Sequence, residues 1–365
     1  MHPAIAERLR ALPIKHLSTK HLPKEIAVFG AGSEGERLIR CAEAAEIAVV
    51  AVVDDNPALW GKLCAGHEVH SRYRLNHFAH VPPRTPIIVA SHRVEDIAAW
   101  LPSRCVWPFA HLQVRWPEKF PPHPFVAGWR EERYGIKITK RYKWLRDALA
   151  DDASRVVLEA VLHYRRTQEP LSFARVRTSD LYEPAILPWS ASETVVDAGA
   201  YRGDTVDLWR RRGAKRIYAF EPEAENCAAL WKHCAGMPEV ICYNAGLWSR
   251  DTRLAIMGEE RYGELAEGDG SVRVVALDSL WRRPRDGLVD PTFIKMNIEG
   301  AELDALEGAC ETIARCKPNL AISAYHRVDH IWRVPALIRS ICPDYRLYLR
   351  QHEGGCVETV LYAVH

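Results

Sequence analysis

The sequence predicts an α/β protein containing two Rossmann-like, doubly wound sheets. Two stretches of the chain each alternate short apolar strands with segments of helical period, the pattern of a parallel sheet covered by helices. In each stretch the first strand runs into a glycine-bearing turn, and the length of 365 residues exceeds one ordinary core. These changes of pattern divide the chain into an N-terminal Rossmann-like domain over 1–115, a largely helical connector over 116–180 and a C-terminal domain over 181–365.

The first series opens with EIAVFG (25–30), continues through a helix-period segment to IAVVAVVDDN (47–56), and reaches TPIIVAS (85–91) followed by the helical VEDIAAWL. Gly30, Gly32 and Gly35 have the spacing of a dinucleotide-binding turn, in which glycines let the backbone approach a pyrophosphate at a helix N-terminus. Asp54 and Asp55 end the second strand, where a ribose-binding carboxylate belongs, but Glu34 sets a negative side chain inside the turn. A nucleotide is therefore one candidate partner here and a ligand-free scaffold the other. The stretch VVDDNPALWGKLCAGHEV resembles small Rossmann domains that accompany carbohydrate-modifying enzymes. Residues 107–128, rich in proline and aromatics without a clean period, read as a linker; 129–166 turns helical and ends at Glu169-Pro170.

The second series runs TVVDAGAYRGDT, RIYAFEP, EVICYNAGL, TFIKMNIEG and PNLAISAYH, each a strand leading to its carboxyl-end loop. It closes with two β-rich runs around Glu353-Gly354-Gly355, a hairpin signal. Its first turn differs in kind from GAGSEG. Asp197, Gly199 and Gly203 give D-x-G-x-x-x-G, and an acid at the strand end suits a cationic ligand better than a diphosphate. Glu221 ends the next strand, where its carboxylate can accept both ribose hydroxyls. Acids ending consecutive strands in this order point to S-adenosylmethionine.

Bulk properties narrow the alternatives. With 49 Lys+Arg against 47 Asp+Glu the net charge is +2, and the charges are interspersed, so there is no footprint for nucleic acid. The opening MHPAIAERLRALPIKHL has no apolar signal core, and no run approaches the ~18 apolar residues of a membrane span. The ten cysteines form no C-x-x-C pair, which suits scattered thiols in a reducing compartment and a cytoplasmic protein. The helical segment at 129–166 offers a surface for a homo-oligomer or a lid.

From about residue 140 to 365 the ordered segments VVDAGAYRGDT, YAFEPEAEN, VVALDSL, FIKMNIEGAELDALEGA, KPNLAISAYHRVDHIWRVPALI and ETVLYAV resemble the FkbM-type methyltransferases. The resemblance implies a class I methyltransferase domain with a seven-stranded sheet and a terminal antiparallel hairpin, using S-adenosylmethionine on hydroxyls of sugars, polyketides or related small molecules. It implies that Asp197, Gly199, Ala200 and Gly203 line the methionine end of the cofactor, that Glu221 and Pro222 hold the ribose, and that Asn244 and Ala245 flank the adenine. The family usually has Asp at the position of Asn297, which is carried over to the cofactor site with one charge fewer. Arg202 stands where a small or acidic residue is common.

Methyl transfer to an alcohol needs alignment and a base for the departing proton. Two candidates follow the fourth and fifth strands of this series: Glu299 and His326. Glu302, at the start of a helix, reads as a partner of the helix dipole. His326 and His330 form an H-x-x-x-H with no glutamate between them, so no metal is expected. The competing functions are an NAD(P)- or nucleotide-sugar-binding, carbohydrate-modifying protein acting through Gly30–Gly35, and a cofactor-binding scaffold impaired by Asn297.

Overall fold

A computed structural model describes residues 21–76, 81–91, 93–101, 104–122, 126, 139–169, 171–190, 192–257, 264–266, 270–281 and 287–365. The chain divides into two compact units, one of Met1–Lys140, Arg155–Ser179 and Arg350–Thr359, the other of Arg141–Ser154, Asp180–Leu349 and Val360–His365. The stretch 116–180, drawn from sequence as a separate connector, is thus shared between the two units, and the tip of the terminal hairpin falls in the first.

In the first unit β1 (Glu25–Phe29), β2 (Ala48–Asp54), β3 (Leu63–Cys64), β4 (His67–Ser71), β5 (Ile87–Val89) and β6 (Val106–Pro108) form a sheet in the order β3-β4-β2-β1-β5-β6. Only β3 and β4 pair antiparallel. The central strands β1, β2 and β5 are largely apolar because both faces are covered: Ile26 and Val28 enter one core with Leu38 and Ile39, while Ala27 and Phe29 enter the opposite core with Val94 and Ile97. Leu38 and Ile39 belong to α1 (Ser33–Ala44), Val94 and Ile97 to α2 (Val94–Trp100).

The linker expected over 107–128 instead begins with β6 and α3 (Phe109–Arg115). Pro108 caps that helix and Pro117 follows it, so two prolines enclose a helix too short to show a period. Phe109, Leu112 and Val114 are buried there. The helical stretch expected from 129 splits into α4 (Thr139–Ala148) and α5 (Asp152–Thr167); residues 127–138 lie outside the described residues.

The second unit carries β7 (Thr194–Ala198), α6 (Asp204–Arg211), β8 (Arg216–Phe220), α7 (Ala224–His233) and β9 (Val240–Tyr243). Four more strands follow, β10 (Gly246–Leu247), the end of the run EVICYNAGL, and three unforeseen from sequence, β11 (Thr252–Met257), β12 (Glu264–Ala266) and β13 (Val272–Val275), forming a small sheet of their own. Then come α8 (Leu277–Trp281), β14 (Phe293–Met296), α9 (Glu302–Glu307), α10 (Cys310–Cys316), β15 (Asn319–Ser323), α11 (His330–Ile341), β16 (Arg346–Gln351) and β17 (Thr359–Val364). The main sheet has seven strands in the order β16-β17-β15-β14-β7-β8-β9. β7, β8, β9, β14 and β15 pair parallel, and β17 runs antiparallel to β15, matching the expected sheet with its terminal hairpin. Ala150 and Leu349 bond across to Leu347 and Ser154, so the chain around residue 150 covers the β16 edge. Under β7 and α6 the rings of Trp189, Trp209 and Phe293 pack together, Trp189 and Trp209 stacked at 5.7 Å.

Candidate functional site

Parallel pairing sets the carboxyl ends of β7, β8, β14 and β15 along one edge of the seven-stranded sheet. The strand order reverses at β7, with β8 and β9 on one side and β14 and β15 on the other, so the turn after β7 occupies the switch point where open α/β sheets bind ligands.

That turn is held close to its neighbours by glycines. Gly199 has φ +76°, and a Cβ there would stand 2.0 Å from the Asn297 carbonyl oxygen. Gly203 has φ +104°, and its Cβ would meet the His233 ring at 2.5 Å. The N–H groups of Gly199 and Ala200 both donate to the Phe220 carbonyl at 3.0 Å. Tyr201 is held at φ +49°, a costly conformation for a bulky residue.

Beneath the turn lies an ion pair. Lys295 Nζ is 3.0 Å from Asp197 Oδ1 and donates to the carbonyls of Ala198 at 3.1 Å and Gly199 at 2.8 Å. Asp197 Oδ2 accepts from Thr205 Oγ1 at 2.6 Å and Trp209 Nε1 at 2.8 Å. Asp197 is 0% exposed and Lys295 2%. The acid read from sequence as facing a cationic ligand therefore points inward, and it reaches the turn through Lys295. The sequence offered a signal for this: Lys295 interrupts an otherwise apolar strand.

Glu221 closes β8. Its Oε2 accepts from the Tyr201 N–H and its Oε1 from the Glu223 N–H, both at 3.0 Å, which ties the second strand end to the first turn. Burial pushes its carboxyl up to about 7, against the pull of those two N–H donors. Asn244 Nδ2 donates to the carbonyls of Glu221 and Pro222 at 3.1 and 3.2 Å, bracing the loop that carries the acid. Ala245 is buried beside it, and the rings of Phe220 and Tyr243 stack at 4.7 Å behind. Arg202 turns to α7, donating to Asn226 Oδ1 at 3.0 Å.

After β14 and β15 the structure joins residues that the sequence offered separately. Glu302 is fully buried, and its Oε1 lies 2.7 Å from His326 Nδ1, while its Oε2 lies 3.2 Å from His330 Nδ1. Burial alone would raise the Glu302 carboxyl, but His326 and then His330 overcome it and hold the group well below the usual range. An ionised carboxylate can only accept, so Nδ1 of His326 carries a proton and its Nε2 is the basic nitrogen of the neutral ring. Glu299, at φ +53°, brings Oε2 to 3.5 Å from that Nε2. The Ile298 N–H also donates to Glu302 Oε1, at 2.9 Å, so the carboxylate fixes the loop as well as the ring. Tyr325 OH lies 3.4 Å from Asn297 Oδ1 and its ring centroid 4.1 Å from that of His326. The reading of Glu302 as a dipole partner missed the histidines because they lie more than twenty residues away in sequence. The arrangement sets a carboxylate at Glu221 and an imidazole at His326 along one edge of the sheet.

Residues 197–353 match the model of the methyltransferase FkbM domain. The crystal structure of a methyltransferase FkbM from Methylobacillus flagellatus KT is similar over 99% of this chain and 97% of its own, with a TM-score of 0.70 and 25% identity. An rRNA methylase from Streptococcus thermophilus (TM-score 0.29, 15% identity, 48% of this chain and 89% of its own) is a far weaker match. So is Aeropyrum pernix fibrillarin solved with natively bound S-adenosyl-L-methionine (TM-score 0.29, 12% identity, 58% and 76%). Comparison with curated proteins yields no match.

Proposed function

We infer that this chain, whose residues 197–353 match the model of the methyltransferase FkbM domain, uses S-adenosylmethionine to methylate a hydroxyl on a sugar, a nucleotide-linked sugar or a related small molecule. The observation that carries the reading is that Glu221 and the Glu302–His326 pair close neighbouring strand ends of one sheet edge, on either side of the glycine turn.

The residues fit such a cofactor. Gly199 and Gly203 let the turn run tight against Asn297 and His233, and this turn, with Ala200, is assigned to the methionine part. Glu221, with Pro222, is set to accept the ribose hydroxyls, its remaining lone pairs lying beyond the Tyr201 and Glu223 donors. Asn244 and Ala245 border the adenine side, and Asn297 the end nearest the transferred group. Asp197 acts on the glycine turn through Lys295. When bound, the cofactor supplies a methyl group on a positively charged sulfur that leaves readily. The chain then has to align the acceptor, exclude water and take one proton. His326 Nε2 takes that proton, Glu302 keeps the ring in the basic tautomer, and Glu299 stabilises the imidazolium formed. The sugar-type acceptor rests on the resemblance of the N-terminal stretch VVDDNPALWGKLCAGHEV to domains that accompany carbohydrate-modifying enzymes.

Calorimetric titration with S-adenosylmethionine, followed by assay against a panel of sugars and nucleotide-linked sugars, tests the reading. Binding should be lost or sharply weakened in Glu221→Ala, and His326→Ala should bind but not turn over. Unchanged affinity in Glu221→Ala would remove the cofactor assignment; full turnover in His326→Ala would remove the base.

A further inference from the structure

Cys342, Asp344 and His365 bring their donor atoms, one thiol sulfur, one carboxylate oxygen and one ring nitrogen, within 4.8 Å of one another. Cys342 ends α11 and Asp344 lies two residues on, while His365 follows β17. The His365 N–H donates to Asn319 Oδ1 at 3.4 Å, and Asn319 is the first residue of β15. The trio therefore sits at the start of β15, on the sheet edge opposite the site described above. We propose that these three residues form a site for a zinc-type divalent cation, which ties the end of β17 to the connection leading into β16.

The chemistry of the donors selects the ion. A thiolate with an imidazole and one carboxylate suits Zn²⁺ or Co²⁺, whereas Mg²⁺ and Ca²⁺ require shells of oxygen. Bonds of about 2.0–2.3 Å to a tetrahedral ion place its ligands about 3.3–3.8 Å apart, so the trio contracts by about 1 Å on binding. That movement is within side-chain reach. Cys342 is buried, whereas Asp344 and His365 are exposed and can close over its sulfur. The His365 ring stands edge-on to Tyr345 with centroids 6.0 Å apart, which limits where it can swing. Lys317 Nζ lies 3.6 Å from Asp344 Oδ2, and the ion has to draw that carboxylate away from it. Binding replaces the thiol proton by the metal, and the proton goes to solvent. Three protein ligands leave a fourth position for water. Sequence spacing hid the site, because its histidine lies more than twenty residues from its cysteine.

The full chain, stripped with a chelator and titrated with Co²⁺, tests the proposal. One equivalent should produce a thiolate-to-cobalt charge-transfer band in the near ultraviolet, and Zn²⁺ should abolish it by competition. Cys342→Ser should lose the band while binding S-adenosylmethionine as the wild type does; His365→Ala and Asp344→Asn, both at exposed positions, should weaken Co²⁺ binding at least tenfold. No band in the wild type, or an undiminished band in Cys342→Ser arising from other cysteines, overturns the site. Should Cys342→Ser fail to fold, undiminished Co²⁺ affinity in both exposed variants overturns it equally.

Discussion

In the N-terminal unit the Ala31 N–H donates to Asp54 at 2.7 Å, and in the C-terminal unit the Tyr201 N–H donates to Glu221 at 3.0 Å. In each, an acid ending the second strand clamps the glycine turn that follows the first. The floors of the two turns differ. Two residues before Gly30 stands Val28, paired in register with Ile88; two residues before Gly199 stands Asp197, paired in register with Lys295. One sheet thus builds this turn on two apolar side chains and the other on a buried ion pair. The pair is not needed to make such a turn, and buried pairs are weak sources of stability. What Lys295 adds is a grip on the carbonyls of Ala198 and Gly199, which fixes the conformation of the glycine turn.

Breaking the pair is the harshest test of that difference. Lys295→Ile leaves Asp197 charged and buried and should cost about 3–5 kcal/mol in chemical denaturation. The double variant Asp197→Val, Lys295→Ile copies the N-terminal turn. It should recover most of that loss while binding S-adenosylmethionine poorly, and recovery of both would show the pair to be dispensable. Next in size is Glu302→Gln, expected to lower methyl transfer about 10²-fold with cofactor affinity intact. The nitrogen shifts of His326 should report loss of the single Nδ1–H tautomer in the same variant. Equal tautomer populations in both proteins would sever Glu302 from the base.

Strands β1, β2 and β5 and those of the seven-stranded sheet were legible because apolar runs ending in Gly, Asp or Glu are local signals, and the hairpin around Gly354-Gly355 was equally plain; β3, β4 and β6, short or polar, were not. The small sheet β10–β13 was not, since its strands are only 2–6 residues long. The places of Glu221 and His326 just after strands were legible too. The direction of Asp197 and the shared use of Glu302 by two histidines were not, because burial and tertiary pairing decide both.

A smaller effect is shared by the two units and is read by pH. Burial raises Glu95 in the first unit and Glu221 in the second to about 7 from 4.5. A carboxyl raised on folding binds more protons in the native chain, so its contribution to stability is complete below about pH 4.5 and fades as pH rises through 7. Denaturation midpoints should fall over that interval, and Glu95→Gln and Glu221→Gln should each flatten the fall. Smallest of all, Asp54→Asn weakens one clamp of the N-terminal turn and should cost about 1 kcal/mol without altering S-adenosylmethionine affinity.

The most direct test is the affinity for S-adenosylmethionine measured calorimetrically from about pH 5.5 to 8.5 in the wild type and in Glu221→Gln. An ionised carboxylate accepts ribose hydroxyls more strongly than the neutral acid, so wild-type affinity should climb as pH passes about 7 and level above it, while the variant binds weakly at every pH. Equal affinities and equal pH profiles in the two proteins would contradict the account.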